Sequence, residues 1–468
     1  MTTFGMTIDG VETSGDGSFG VLNPATEDEA GHAPTCSGRQ LDDAVASAKR
    51  AFRTWKRDES ARRAALRNAA ELVEANANDI ARTLTIEQGK PLSHATAEVY
   101  GSAAQLKSIA AMPLPHEVTR DDDKARIEIC YRPYGVVGGI TPWNYPILIA
   151  MAKLAPALLA GNTMVLKPSP FTPLSTLALG KVLNQALPPG VLNVISGGGE
   201  LGARLSSHPD VKKLSFTGSV PTGKKVGQAA AADLKRVTLE LGGNDPAVIL
   251  DDVNPEAIAT QLFWSAFTNA GQICTAVKRV YAPEALFEPL VNALANIARQ
   301  VKVGDGLDPD TQLGPINNAM QLQRVTELVD DARKRGAKIH AGGERLARKG
   351  YFYAPTIITG VADDVAIVAE EQFGPVLPVL SYRNLDEVLE RANATNYGLG
   401  ASVWSTDGAR ARAVAEELDA GTVWINQHLA LTALAPFGGA KWSGVGEAGG
   451  RWGLASFLQK HVINQRIG

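Results

Sequence analysis

Cysteine is nearly missing from this chain. Only Cys36, Cys130 and Cys274 occur in 468 residues. None has a Cys or His neighbour at metal-ligand spacing, and the seven histidines are scattered, so no zinc constellation is read and no metal is required. So few thiols exclude a disulfide scaffold and suit a reducing compartment. A basic, then apolar leader is also missing from Met1-Thr2-Thr3-Phe4-Gly5-Met6, so no secretion signal is read and a cytoplasmic location is expected. Charge of one sign is not in excess: 46 Lys+Arg face 49 Asp+Glu. That balance argues against nucleic acid or a membrane surface as the main partner. Nor is there a long unbroken apolar run. The most apolar segment, 146–165, is interrupted by Lys153, Pro156 and Gly161-Asn162, and reads as a buried helix and strand rather than a membrane span.

What the chain does have is length and alternation. A chain of 468 residues can bury two large cores. Apolar runs at 136–140, 163–167, 191–195, 211–216 and 236–241 read as strands. Helical spacing falls between them at about 147–159, 174–185, 201–206 and 221–231. Strand and helix in short repeats imply a parallel, doubly wound sheet, whose ligands bind at the carboxyl ends of the strands. Thr217-Gly218-Ser219 stands at such an end. Gly218 allows backbone to approach a ligand, and Ser219 opens the next helix. That turn is compatible with a simple helix cap or with a phosphate held at a helix N-terminus. It is not the Gly-x-Gly-x-x-Gly fingerprint. A second series follows from Asp245 to about Lys441, with strands at 247–250, 279–281 and 376–380 and helices at 255–267, 283–301, 318–335 and 385–395. Between His116 and Arg132 lies a polar, alternating stretch whose Asp121-Asp122-Asp123 reads as the tip of a long hairpin. It has little core of its own and is expected to lie on another subunit.

Chemistry concentrates in two short motifs. Cys274 sits in Gly271-Gln272-Ile273-Cys274-Thr275, and Glu240 in Leu239-Glu240-Leu241-Gly242-Gly243. A thiol nucleophile needs a base and a group that activates water. A free cysteine is commonly a small buried hydrophobe, and Cys36 and Cys130 take that reading.

With five further motifs the chain resembles the aldehyde dehydrogenase superfamily from end to end. These are Thr141-Pro142-Trp143-Asn144-Tyr145-Pro146, Leu166-Lys167-Pro168-Ser169, Phe216-Thr217-Gly218-Ser219, Glu370-Glu371-Gln372-Phe373-Gly374-Pro375, and Pro436-Phe437-Gly438-Gly439 followed by Lys441-Trp442-Ser443-Gly444. The resemblance implies an α/β fold with three parts. A Rossmann-like NAD(P)-binding domain would span 1–113 and 134–242. A second α/β, catalytic domain carrying Cys274 would span 243–445. A small β arm for oligomerisation would comprise 114–133 and a C-terminal strand within 446–468. The arm, the strand and the run 454–458 would join subunits of a homodimer or homotetramer.

The same resemblance implies roles. Cys274 would attack the aldehyde carbon, Asn144 and the Cys274 N–H would hold the oxyanion, and Glu240 would activate the water that hydrolyses the thioester. Lys167 would reach the adenosine ribose, with Ser169 and Leu241 nearby. Trp143, Gly218 and Ser219 would meet the pyrophosphate. Glu371 would hold the nicotinamide ribose, and Phe373 would position the ring. Members that prefer NAD commonly carry a glutamate where this chain has Pro170. Its absence leaves NAD or NADP open, with Lys167 and Ser169 as phosphate ligands. The expected pocket walls are Tyr145, Ile149, Trp264, Thr268, Ile273, Thr275, His428 in the loop 427–435, and Phe437. They are apolar or aromatic and include no Arg or Lys to partner a substrate carboxylate. The expected substrate is therefore an uncharged aliphatic or aromatic aldehyde, with a cationic aminoaldehyde as the other candidate. Two alternatives stand beside this: a CoA-acylating relative, which generally lacks the base glutamate, and a non-catalytic structural relative.

Overall fold

Two sheets organise the computed structural model, which describes residues 4–467. Met1–Thr3, part of the segment read for a leader, and Gly468, the end of the expected C-terminal part, lie outside these residues. The parallel heart of the first, eight-stranded sheet runs Leu192–Val194, Thr163–Lys167, Val136–Ile140, Val211–Thr217, Arg236–Glu240 across the sheet. In chain order these are third, second, first, fourth and fifth, so the winding reverses at Val136–Ile140. A crevice opens outside the carboxyl ends of strands at such a reversal. Here Thr141-Pro142-Trp143-Asn144 follows one of the two strands at the reversal and Gly218-Ser219 the other. Helices on both faces bury Val136–Ile140 and Thr163–Lys167 along their length, which is why these two read as continuous runs. Their observed bounds, and those of the helices between them, match the predicted ones to within about two residues.

Four helices precede the arm: Gly38–Trp55, Glu59–Ala75, Ala77–Gln88 and Leu92–Ala111. None is among the helices expected from apolar spacing. The first carries a capping box, Ser37 with Gln40, and buries Leu41, Ala44, Val45 and Ala48.

The second sheet has seven strands, with Asp245–Ile249 flanked in parallel by Val277–Pro283 and Gly400–Trp404. The chain brings Cys274 to the start of Val277–Pro283, so the Cys274 motif meets the carboxyl ends of the first sheet from the amino end of the second. The two are stitched by Gly444–Val445, which pairs antiparallel with Leu239 and Glu240. This segment, expected in the second domain, hydrogen-bonds into the first sheet. No described helix is long and apolar enough to cross a membrane.

The arm is a three-stranded antiparallel sheet of Glu117–Asp121, Ala125–Pro133 and Leu458–Arg466. Asp122 closes its tip, accepting from the N–H groups of Lys124 and Ala125 at 2.9 Å. The C-terminal strand pairs with the hairpin within one chain. The run 454–458 also differs from expectation. Leu454, Phe457 and Leu458 are buried in the first core. A run this apolar gains more from its own domain's core than from a surface contact.

Candidate active site

At the end of Val136–Ile140 the chain turns through Asn144, which is buried. Its Nδ2 donates to Gln272 O at 2.8 Å, and its Oδ1 is shielded without a partner. An amide carries two N–H hydrogens, so one remains after the Gln272 bond. The Asn144 carbonyl accepts from Lys90 Nζ (2.8 Å) and Asn269 Nδ2 (3.2 Å), which fixes the turn from behind. Lys90 also pairs with Glu98 Oε2 at 2.5 Å, both side chains fully buried, and lies 3.6 Å from the Tyr145 ring centroid. Glu98 Oε1 in turn accepts from the N–H groups of Ile147 and Leu148, the first turn of the helix Pro146–Leu159. A carboxylate is well placed there, where unpaired donors and the helix dipole converge.

The loop that carries Cys274 is held in an unusual backbone. Asn269 and Ala270 have φ 55°, ψ 36°, left-handed values that cost energy for residues other than glycine. Gly271 follows at φ 69°, and a Cβ there would fall 2.2 Å from Gly374 O, so no side chain fits. Gln272 pins the loop by accepting from Asn317 N at 2.8 Å and donating to Asn269 O at 2.9 Å. Burial pushes the Cys274 thiol up to about 12; Lys278 opposes the shift, while Glu371, Glu240 and Asp245 add to it.

Glu240 ends its strand with Oε1 shielded and without a hydrogen-bond partner. Burial raises its carboxyl above the ordinary carboxylate range, and Lys153 works against that shift. Lys153 is itself buried in the helix Pro146–Leu159. It donates to Thr217 Oγ1 (2.7 Å) and Ser215 Oγ (3.2 Å), and burial pulls it down to about 8. Glu371 accepts from Gly243 N at 3.1 Å and is pushed up to about 7 by burial, with Lys278 opposing. A Cβ on Gly242 would lie 2.2 Å from Glu371 Oε2, so the glycine is what lets this carboxylate close on the strand end.

Cys274, Asn144 and Glu371 meet at a cavity of about 190 Å³; Glu240 is not part of its lining, though the next two residues of its strand end, Leu241 and Gly242, are. Cys274 and Asn144 line it with Trp143, Gly218, Ser219 and Leu241. Glu371 and Phe373 line it too, Phe373 meeting Trp143 edge-on at 5.2 Å between centroids. Ile149, expected among the substrate walls, shares this cavity. Pro142, Thr217, Gly242 and Gln321 complete the lining and were not anticipated. Gly242 stands in one of the sequence motifs, whereas Gln321, on a distant helix, carries no local signal.

Other expected residues lie apart from this lining. Lys167 is buried with Nζ donating to Pro168 O at 3.1 Å, and burial draws it down to about 8. Ser169 Oγ accepts from Phe171 N. Trp264 packs edge-on against Phe263, and its carbonyl accepts from Thr268 Oγ1. Ile273 is half-buried and Thr275 buried. His428 is buried rather than presented by its loop: Nε2 lies 2.7 Å from Thr275 O and 3.7 Å from Asp245 Oδ2. Beyond it the loop is open, with Leu431 and Leu434 exposed. Phe437 is half-buried and bridges Ala448.

The donor set fits a nicotinamide dinucleotide. A helix N-terminus follows Gly218-Ser219 at the sheet's switch point. Lys167 has three N–H donors and a single protein acceptor among the described residues, which suits an added ribose or phosphate oxygen.

The profile of the aldehyde dehydrogenase family matches residues 11–463. Human retinaldehyde dehydrogenase 3 is 38% identical over 467 residues, 98% of this chain and 91% of that one. A 3-sulfolactaldehyde dehydrogenase of Pseudomonas putida is 39% identical over 465 residues, 97% and 95% of the two chains. The NAD+ complex of an aldehyde dehydrogenase from Bacillus cereus superposes with a TM-score of 0.97 at 36% identity, covering 100% of this chain and 97% of that one.

Proposed function

The chain belongs to the aldehyde dehydrogenase family, and we propose that it oxidises an uncharged aliphatic or aromatic aldehyde to the acid by way of a thioester on Cys274. The observation that carries this is the meeting of Cys274 and Asn144 on one cavity, beside a strand end where Glu240 keeps an unpartnered carboxylate oxygen.

Cys274 Sγ, after passing its proton to solvent water, bonds to the aldehyde carbon as the carbonyl π pair moves onto oxygen. The oxygen left negative faces the free Asn144 N–H and the Cys274 backbone N–H. Neutral donors of this kind stabilise the charge as it develops without pairing with it permanently. The nicotinamide, when bound, supplies the hydride acceptor that turns this adduct into a thioester. Glu240 Oε1 then takes a proton from water, whose oxygen adds to the thioester carbon, and the acid leaves as sulfur recovers its electron pair. Lys153, beside Glu240, steadies the ionised carboxylate. Glu371 would hold the nicotinamide ribose of a bound cofactor, and Lys167 and Ser169 would reach its adenosine end.

Two relatives at nearly equal identity carry names with chemically unlike aldehydes, so the substrate must be read from this chain's own walls. Tyr145, Ile149 and Trp264 and the apolar loop with Leu431 and Leu434 favour an uncharged aldehyde. A panel of aliphatic, aromatic, anionic and cationic aldehydes tests this. The highest kcat/KM is expected with an uncharged member, and a clear preference for an anionic one overturns it.

Both NAD and NADP are proposed as cofactors. Pro170, half-buried three residues after Lys167, supplies no carboxylate to repel a 2′-phosphate. Pro170→Glu is expected to weaken NADP use by about fivefold or more relative to NAD, since a like charge at about 4 Å costs on the order of 1 kcal/mol even at the dielectric of bulk water. Parallel kcat/KM values check it, and wild-type protein inactive with NADP contradicts the dual reading.

We further propose a homodimer or homotetramer built through the arm, with the chain divided into NAD(P)-binding domain, catalytic domain and arm. The outer strand Glu117–Asp121 is exposed throughout, and Val118, Val462 and Ile463 stand in solvent on the arm. Exposed edges of this kind invite pairing. Deleting 120–126 is expected to lower the assembled mass in light scattering while leaving the melting of both cores. A monomeric wild type at micromolar concentration overturns the proposal.

A further inference from the structure

Behind the nucleophile stands a cation that the catalytic steps do not use. Lys278, second residue of the strand Val277–Pro283, is 2% exposed. Its ammonium has three N–H bonds and meets three carbonyls of the nucleophile loop: Ile273 O at 2.6 Å, Ala276 O at 3.2 Å and Cys274 O at 3.3 Å. Burying an ammonium is unfavourable unless its hydrogens are satisfied and negative charge lies near. Here the loop satisfies the hydrogens. Glu371 and Asp245 supply the charge, and Lys278 lowers the pKa of both carboxyls.

Two consequences reach Cys274. The Ile273–Cys274 peptide is trans and planar, so its C=O and N–H point in opposite directions. Holding Ile273 O on the Lys278 side turns the Cys274 N–H to the other. Among the described residues that N–H donates to no protein acceptor, which leaves it for a substrate oxygen. The second consequence is charge. The acids that bear on the thiol are Glu371, Glu240 and Asp245, and Lys278 is the cation set against them. Tyr145 also borders the thiol, His428 stands beyond Asp245, and Lys153 beyond Glu240.

We propose that Lys278 is a positioning residue of the reaction: it aims the Cys274 N–H at the substrate oxygen and holds the charge that lets the thiol ionise among three carboxylates. This rests on Cys274 being the nucleophile. The neighbouring Arg279 does not share the role, because it donates to Asn244 O and Ala392 O, away from the loop.

The test is the pH dependence of Cys274 alkylation by iodoacetamide, followed by mass spectrometry of the Cys274 peptide so that Cys36 and Cys130 do not contribute. Full-length wild type, Lys278→Met and Lys278→Arg are compared, with melting and NAD binding as controls for folding. Lys278→Met is expected to move the alkylation midpoint upward by about one pH unit or more, the size of shift a neighbouring opposite charge produces. At pH 8 that slows alkylation about tenfold. Lys278→Arg is expected to restore most of the midpoint while kcat stays low, because a flat guanidinium cannot serve three carbonyls that converge on one atom. A folded Lys278→Met with the wild-type profile overturns the proposal. Should that variant not fold, Lys278→Gln keeps a donor without the charge, and an unshifted profile there overturns it equally. Cys274→Ala separates the two readings. If that variant stays active, the nucleophile assignment fails. If it is inactive while the Lys278 profile is unshifted, only the role of Lys278 fails.

Discussion

Replacing Cys274 with alanine is expected to lower kcat by about 10⁴-fold or more, the scale on which removing a nucleophile acts in enzymes that work through covalent intermediates. No other thiol can substitute. Cys36 is buried, donating to Ser37 O, and its thiol is pushed up to about 12 by burial. Cys130 lies in the arm, in the strand Ala125–Pro133. NAD binding should survive the substitution, because Glu371, Trp143, Gly218 and Ser219 keep their places. Quenching of tryptophan fluorescence by NAD reads this, since Trp143 lines the cavity. Turnover near wild type would remove Cys274 from the mechanism, and loss of NAD binding would make it a structural residue.

Glu240→Gln separates the two halves of the reaction. The amide keeps the size of the side chain and cannot take a proton from water, so acylation proceeds and hydrolysis stalls. A burst of reduced cofactor near one equivalent per site is expected, then turnover slowed by about 10²–10⁴-fold, the usual contribution of a general base. The pH dependence has a definite sign. Burial holds the Glu240 carboxyl above the ordinary range, so its basic form is lost as pH falls through that raised value. Wild-type kcat is therefore expected to fall on the acid side, and that limb should vanish in Glu240→Gln. An unchanged steady state without a burst would make Glu240 structural.

How much of this was legible in the sequence follows from where the information lies. The strands that lead to Asn144 and carry Lys167 are buried on both faces and read clearly, whereas those that lead to Ser219 and Glu240 mix exposed Lys212 and Arg236 with buried residues and read through their place in the alternation. The N-terminal helices are harder. Glu59–Ala75 buries Ala65, Ala69 and Ala70, and alanine gives too little hydrophobic contrast to mark a face. Gly400–Trp404 was missed because Gly-Ala-Ser opens like a loop, and only its pairing with Asp245–Ile249 makes it a strand. The residues that support the site were the least legible. Lys153 did show a signal, a charge within an apolar helix, but its partners Ser215 and Thr217 lie 62 and 64 residues on. Lys90 meets Asn144 across 54 residues. Lys278 sits beside an arginine in a strand, and nothing local says that it points into the nucleophile loop. His428 is a different case: its loop position suggests a pocket wall, and the structure places its ring buried, with Nε2 2.7 Å from Thr275 O, a contact no local pattern announces.

One measurement bears on the whole scheme. Glu240→Gln is mixed with an accepted aldehyde and NAD, quenched in acid within the burst, digested and weighed. The peptide containing Cys274 is expected to carry the mass of the acyl group, in an amount equal to the burst, and to lose it on treatment with hydroxylamine. A burst of the same size with the Cys274 peptide unmodified would contradict the thioester, and with it the catalytic roles of Cys274, Asn144 and Glu240.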